Sequence, residues 1–450
     1  LMMAQSAIYA AFAVYPGIWG LYGTLRLERK YPAVQGACWT AVCVKTENKG
    51  SYMSQKKKVR FKILAAPDDL SEIKNKVKKF RIRKIRRLLV PAVLILLAVC
   101  GTYLLLKNQT YTQARTTREY PADISDTSSY TRFEDGIVRY NRDGVAFLNK
   151  KNEEQWIQPA QIQNPIIVVK EKAFAVADNG GNNIMVFTEE GLKGEIETTL
   201  PIEKITVSDQ GIVSAVLKDE SSPKIISYDA TGNILVEQKT TAGTTGYPVA
   251  LEVSDDGRML AASYLYTEGA VIKSRVVFYN FGETGQGKTD NIVSSYEYDD
   301  TVAAEIFFMG EDRSIVVGDN SFIIYKGKEE PQKEKEITVG QEIQSVFHSD
   351  QYIGFVLLNR DKSGYEVRLY NRLGDQVLNR DIPAKYDNVK IDGDEVIMFD
   401  GTKCCIVTAT GIIKFNGDIK INALEMFRAS GLNRYYVMSV DELRVIYLTK

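Results

Sequence analysis

The chain has 450 residues, with 57 Lys+Arg against 57 Asp+Glu, but the balance is not local: residues 1–111 hold 20 basic and 5 acidic side chains, leaving 37 and 52 for the rest. A cationic leader ahead of an acidic body argues against a general nucleic-acid binder, whose basic charge belongs on the folded domain. One histidine, His348, and five scattered cysteines (Cys38, Cys43, Cys100, Cys404, Cys405) leave no His-rich metal centre and no legible disulfide framework, so neither a metal nor a cofactor is expected.

Residues 1–52 begin with an uncharged stretch, Leu1 to Leu25, broken by Pro16, Gly17, Gly20 and Gly23. Met53, followed by Ser-Gln-Lys-Lys-Lys, reads as the true start, which makes 1–52 a doubtful N-terminal extension. Residues 53–87 are a basic tail with 14 Lys/Arg between Lys56 and Arg87. Within it Leu70, Ile73, Val77 and Phe80 recur at helical spacing, with Asp68 or Asp69 as cap, so this helix either lies on anionic headgroups or serves only as a topology signal.

Residues Leu88 to Leu106 carry no charge, a run long enough to cross a bilayer as a helix, with Pro91 in its first turn. Arg81, Arg83, Lys84, Arg86 and Arg87 crowd its N-terminal flank, whereas the 20 residues after Leu106 hold only Lys107, Arg115 and Arg118. That asymmetry keeps the tail cytoplasmic and places the body outside, a single-pass protein of the cell membrane. Leu97-Ala-Val-Cys100-Gly101 looks somewhat like a lipidation site, but Val99 is bulky and the apolar run continues past Cys100, which favours an uncleaved anchor.

Residues 107–130, rich in Thr, Ser, Tyr and Asp, read as a polar linker, and 131–450 as an all-β body of short runs separated by turn residues. One run type closes on an Asx-or-Thr turn ending in Gly: Phe187-Thr-Glu-Glu-Gly191, Tyr228-Asp-Ala-Thr-Gly232, Tyr370-Asn-Arg-Leu-Gly374, Val407-Thr-Ala-Thr-Gly411 and the shorter Tyr279-Asn-Phe-Gly282. Such ends fall at 148, 187, 228, 279, 325, 370, 407 and 447, gaps of 37 to 51 residues that suit four-stranded blades. Inner strands are placed near 166, 205, 251, 306, 346, 389 and 424, and Ser254-Asp-Asp-Gly-Arg-Met-Leu-Ala261 resembles a turn of WD40-like and YVTN-like repeats. Seven inner runs against eight of the other type predict a seven- or eight-bladed β-propeller, closed by N-terminal strands pairing with the last blade. A sandwich of this size exceeds one core, and a solenoid needs a shorter period.

The stretches Leu200-Pro-Ile-Glu-Lys-Ile-Thr-Val, Gly246-Tyr-Pro-Val, Ala262-Ser-Tyr-Leu-Tyr266, Ser274-Arg-Val-Val-Phe-Tyr-Asn-Phe281, Ser345-Val-Phe-His-Ser-Asp-Gln-Tyr-Ile-Gly-Phe355 and Asn433-Arg-Tyr435 give the sequence a family likeness. Together with the basic tail and single span, residues 55–450 resemble an uncharacterised family of clostridial (Gram-positive) single-pass membrane proteins with a propeller-like extracytoplasmic domain of unknown function. The resemblance implies an envelope protein and brings no activity.

One motif looks like chemistry. Gly282-Glu-Thr-Gly-Gln-Gly287-Lys288-Thr289 has the spacing of a phosphate-binding loop, in which backbone amides wrap the phosphates, Lys reaches them and Thr binds Mg²⁺. Its context disagrees: Arg275–Tyr279 reads as a strand before it and Asp290–Tyr298 as another after it, so no helix N-terminus is available for an anion. Gly282, Gly287, Lys288 and Thr289 therefore read as a decoy, a hairpin loop between blade strands. The acidic pairs Asp299-Asp300 and Glu311-Asp312, and Asp178-Asn-Gly-Gly-Asn-Asn183, read as turns rather than Ca²⁺ loops. His348 has no recognisable nucleophile motif and reads as a strand residue; Asn108-Gln-Thr110 fits a glycosylation acceptor of little weight.

The expected function is a membrane-anchored extracytoplasmic propeller, a non-enzymatic binding or scaffold module for an envelope protein or a cell-wall ligand, with the 25 Tyr supplying recognition surface. The alternatives are a propeller hydrolase or lyase with carboxylates at a channel mouth, and a cytoplasmic nucleotide binder through residues 282–289. The bilayer is the one partner expected of the helix, and nucleic acid is not a partner.

Overall fold

A computed structural model describes residues 70–450, apart from 122–127, 220–222, 240–244, 300 and 361–363; in the helix the side chains of residues 70–77, 81, 83–86 and 88 are also outside the description. The expectations for residues 1–69, including Asp68 and Asp69 as caps, and for the side chains of Arg81, Arg83, Lys84 and Arg86, thus lie outside the described residues. Residues 82–450 form one compact unit.

A helix runs from Leu70 to Lys107, and its segment Leu89–Lys107 is apolar enough and long enough to cross a membrane, with mean hydropathy 2.5 and no residue buried against protein. Arg87 is exposed on its flank and Leu106 within it. Pro91 is not in a first turn: the helix starts well before it, so the Arg87 carbonyl lacks its usual amide donor four residues on.

Among the described residues, thirty-two strands form eight four-stranded antiparallel sheets, one per blade. Blades 1 to 7 are each built from consecutive strands, from Ser129–Phe133 as the inner strand of blade 1 to Ile413–Asp418 as the outer strand of blade 7. Blade 8 takes Glu425–Arg428, Arg434–Met438 and Glu442–Thr449, and its outer strand is Gln113–Pro121 from the other end of the body, paired from Gln113 opposite Thr449 to Pro121 opposite Glu442 with a register shift between Thr116 and Arg118. Eight blades settle the seven-or-eight alternative, and the ring closes as expected. The region expected as a linker, 107–130, holds this closing strand and the start of blade 1. Its polarity comes from position: an outermost strand is covered on neither edge nor outer face, and most of Gln113–Pro121 is exposed.

The Gly-closed turns fall between the third and fourth strands of the blades. In blade 3 the Asp229 carboxylate accepts the amides of Thr231 and Asn233 while Gly232 sits at φ +91°, a conformation that costs glycine little. A β-bulge follows in seven blades, and in each it begins at the residue that ends the periodic run: Leu148, Phe187, Tyr228, Tyr279, Tyr325, Tyr370 and Val407. Tyr447 has no such turn, because its blade borrows its fourth strand.

Sheets pack face to face through apolar side chains from the middle strands. Between blades 1 and 2, Phe133, Phe147, Phe174 and Phe187 form an aromatic wall on which Trp156 stacks. Cys404 and Cys405 point to opposite faces of their strand, one packed towards blade 8 and the other towards blade 6. Many of the tyrosines pack rather than recognise: Tyr264, Tyr279, Tyr298, Tyr325 and Tyr435 are buried, and the first four pair their hydroxyls two by two.

Candidate functional site

In a propeller all inner strands run the same way, so the turns after them share one face with the turns between third and fourth strands. Two surface hollows confirm the grouping. One, of about 240 Å³, is lined by Asp209, Asp255, Arg258, Gly310, Glu311 and Lys328 from such turns in blades 3 to 5. The other, about 310 Å³, lies among Arg132, Glu134, Lys150, Asp392, Arg428 and Tyr436 of blades 7, 8 and 1. This face is called the near face, because the helix joins the ring there: Tyr111 donates its amide to the Lys414 carbonyl and Thr112 donates to that of Thr449.

Two ion-paired straps cross the near mouth of the channel, each skipping one blade. Lys170, at the end of the inner strand of blade 2, reaches past blade 3 to Glu252 of blade 4, and Asp255 lies 3.5 Å from the same ammonium. Thr206 of blade 3 donates to the other Glu252 oxygen at 2.8 Å. Burial pushes the Glu252 carboxyl pKa up, and Lys170 opposes the shift. Opposite, Arg132 of blade 1 reaches past blade 8 to Asp392 of blade 7 at 2.8 Å, and the same carboxylate oxygen accepts the Arg428 amide at 2.8 Å. Lys390 and Glu425 pair beside it on inner strands of blades 7 and 8.

The second strap continues into a buried network. Arg428 pairs with Asp394 at 2.9 Å and approaches Glu395 at 3.6 Å. Glu395 accepts from Lys414 at 2.5 Å and from the Tyr435 hydroxyl at 2.6 Å, and Lys414 also donates to the Leu432 carbonyl. Glu395, Lys414 and Tyr435 are all buried, which drives the Lys414 pKa down and that of Tyr435 far up. At its outer end, Asp394 accepts from Lys107, the last residue of the helix, at 2.6 Å.

Inside the ring a cavity of about 470 Å³ is lined by inner-strand residues of blades 2 to 6, among them Ile166, Val168, Ile205, Leu251, Ile306 and Phe307. His348 stacks on Phe307 with ring centroids 3.8 Å apart and planes 5° apart. Its ring opens to the cavity, yet the surrounding protein, with Lys170 adding, lowers the imidazole pKa to about 4 and keeps it neutral. Three carboxylates share the cavity. Glu203 accepts from Tyr247 and Glu252 is held in the first strap, while burial raises the Glu305 pKa against the charge of Lys204.

The phosphate-loop spacing folds into something else. Asn280, fully buried, donates to Glu329 and accepts the Gly282 amide at 2.8 Å. The amides of Gly285 and Gln286 turn back to the Gly282 carbonyl, and that of Lys288 to Gly285. A single helical turn, Glu283–Gln286, and a 3₁₀ turn, Thr289–Asn291, lead into strand Ile292–Tyr298, so Gly282, Gly287, Lys288 and Thr289 lie on a hairpin loop in which the amides of Gly282, Gly285, Gln286 and Lys288 have acceptors within the loop or on Asn280. Asp178 also has a turn role, its carboxylate accepting the amides of Gln163 and Asn164. Glu311 pairs with Lys328, and Asp312 with Arg313 and Arg372.

Sequence reasoning missed Lys170, Glu252, Glu395 and Lys414. Glu252 and Lys414 carried a visible signal, a lone charge inside an apolar strand run as in Ile412-Ile-Lys-Phe415, whereas Lys170 in Lys170-Glu-Lys172 and Glu395 after Asp394 carried none.

Fold and site together define an eight-bladed β-propeller whose ring-closing strand follows directly on an apolar helix. The chain belongs to a family of unknown function (DUF5711), which matches residues 107–448. No curated protein matches it. Among solved structures it is similar to BamB from Moraxella catarrhalis, 12% identical over 75% of this chain and 100% of that one, with a TM-score of 0.46. It is also similar to Saccharomyces cerevisiae Sqt1 (10% identical, 76% and 99% covered, TM-score 0.46) and to apo AztD from Citrobacter koseri (11%, 66% and 87%, TM-score 0.46). Likeness at this level carries no argument about a ligand.

Proposed function

We propose that the protein is a membrane-anchored extracytoplasmic propeller that binds or scaffolds rather than catalyses, its ligand an envelope protein or a cell-wall polymer. The observation that carries this reading is the direct join of an apolar helix, cationic on its far flank, to a closed ring whose loops converge on a channel. The channel wall pairs an apolar belt with a few polar groups, the usual composition of a recognition site. A hydrolase or lyase needs carboxylates free to act as acid and base. Of the three carboxylates in the cavity, Glu203 and Glu252 are engaged with Tyr247, Lys170 and Thr206, which leaves Glu305 without a second free carboxylate to work with and disfavours that alternative. A nucleotide site at 282–289 is disfavoured because only a single helical turn, Glu283–Gln286, lies in the loop and a strand rather than a helix follows it.

The test is crosslinking and affinity capture of the full chain from native membranes, with a phosphatase or fluorescent reporter at Lys450. An active phosphatase and one recurrent envelope partner are expected. A cytosolic reporter signal, or nucleotide-induced thermal stabilisation abolished by Lys288→Ala, refutes the reading.

A further inference from the structure

The helix does not hang from the ring by a free tether. Five residues, Asn108 to Thr112, separate Lys107 from the closing strand, and fully extended they reach only about 17 Å. They are not free to extend: Tyr111 is buried beside Phe415, and both Tyr111 and Thr112 donate backbone hydrogen bonds to the ring. Lys107, the residue at which the apolar segment ends, pairs directly with Asp394 on the near face. Asp394 in turn is fixed through Arg428 to the buried Glu395, Lys414 and Tyr435. A residue that ends a membrane span lies at headgroup level, so the near-face turn it touches lies there too.

We infer that the near face is an apposition surface for the lipid headgroups, held against the bilayer by the Lys107–Asp394 clamp, and that the far face is the one presented to ligands. This rests on reading Leu89–Lys107 as a membrane span. The near-face turns of every blade then look at lipid: Lys151 in blade 1, Glu190 in blade 2 and Glu311 in blade 5 are exposed there. Among the described residues, the far face carries links between blades, turns between second and third strands, and a two-stranded projection. In blade 4 the strands Met259–Glu268 and Val271–Asn280 pair with each other to their tip, beyond the last residues paired to their neighbours, Leu265 and Ser274. The resulting two-stranded arm exposes Val271 and Ile272 and is pinned at its base by Lys273 to Glu268 and Asp299. Clamp and arm thus lie on opposite faces, and on opposite sides of an eight-membered ring.

The test uses the full chain in phosphatidylethanolamine/phosphatidylglycerol nanodiscs doped with a headgroup-nitroxide lipid. Cys38, Cys43 and Cys100 are replaced, Cys404 and Cys405 being buried, and single fluorophores are placed at Lys151→Cys, Glu190→Cys, Glu311→Cys, Ala270→Cys and Asp319→Cys. Quenching several-fold stronger at the three near-face sites than at the two far-face sites is expected. Asp394→Asn, checked for an unchanged cooperative melt, should bring the two groups together. Equal or reversed quenching in protein that still co-floats with lipid overturns the apposition while leaving the anchor intact. An unchanged ratio in Asp394→Asn overturns the clamp, and protein that fails to co-float overturns the membrane reading along with both.

Discussion

The boundary between blades 1 and 2 and that between blades 7 and 8 occupy equivalent places in the ring and are built from opposite materials. The first is an aromatic wall: Phe174 stacks on Phe187 at 4.9 Å and meets Phe133 edge-on at 4.9 Å, with Trp156 over Phe187 at 5.3 Å. The second has an apolar centre capped at its near end by the buried ions Glu395 and Lys414. The apolar burial behind aromatic packing is non-directional, and the ring geometry acts only between the rings in contact, so the wall can seal two blades without specifying anything beyond them. Buried ions cost desolvation and stabilise little, but they fix direction, and this network reaches the helix at Lys107.

The two largest effects should match in size and differ in rescue. Phe174→Ala opens a cavity in the wall and should cost about 3–5 kcal/mol. Glu395→Ala strands a buried ammonium and should also cost about 3–5 kcal/mol. Denaturant unfolding in detergent distinguishes them: adding Lys414→Met should recover most of the Glu395→Ala loss, because both charges are then gone, whereas no single partner change should restore Phe174→Ala. If Lys414→Met fails to rescue, the network is more than an ion pair in a cavity. Next, Gly285→Ala should destabilise by about 1–3 kcal/mol, since a Cβ there would meet the Asn280 carbonyl oxygen at 1.7 Å.

Smaller is a pH effect. His348 has its pKa lowered from 6.5 to about 4, so below pH 6.5 the unfolded chain takes up a proton that the folded one refuses. Its contribution is intact above pH 6.5 and lost as the pH falls towards 4. Because the ring opens to channel water, the loss is modest, and His348→Phe should flatten the stability profile over that interval in thermal melts. The smallest effect is that of Lys288→Ala, whose side chain makes no described ion pair: within about 0.5 kcal/mol of the parent, with no change in melting on adding ATP and Mg²⁺.

How far the sequence could be read follows from the range of each interaction. The turns were legible because their chemistry is local: Tyr228-Asp-Ala-Thr-Gly232 carries its carboxylate acceptor and its positive-φ glycine within five residues. The blade count stayed open because blade 8 has no turn after Tyr447, and Ser129–Phe133 was not recognised as an inner strand behind a polar stretch. Gln113–Pro121 looked like linker because nothing near it in sequence pairs with it. The straps were invisible for the same reason, Arg132 and Asp392 being far apart in the chain. Lys414 and Glu395 meet only across the blade, on different strands, so neither one's local sequence shows the other.

The closing strand also sets an order of events. Thr117 bonds the carbonyl of Val445, 328 residues away. Gln113–Pro121 is therefore made among the first segments of the body, and it cannot pair in the ring until its partner Glu442–Thr449, at the other end, has been made. Until Glu442–Thr449 arrives, its edge and that of blade 8 stand open, and the cationic, threonine-rich strand Gln-Ala-Arg-Thr-Thr-Arg-Glu-Tyr-Pro is a poor template for stray β-pairing. A truncation that removes the last strand should thus yield an uncapped ring prone to self-association, rather than a smaller propeller.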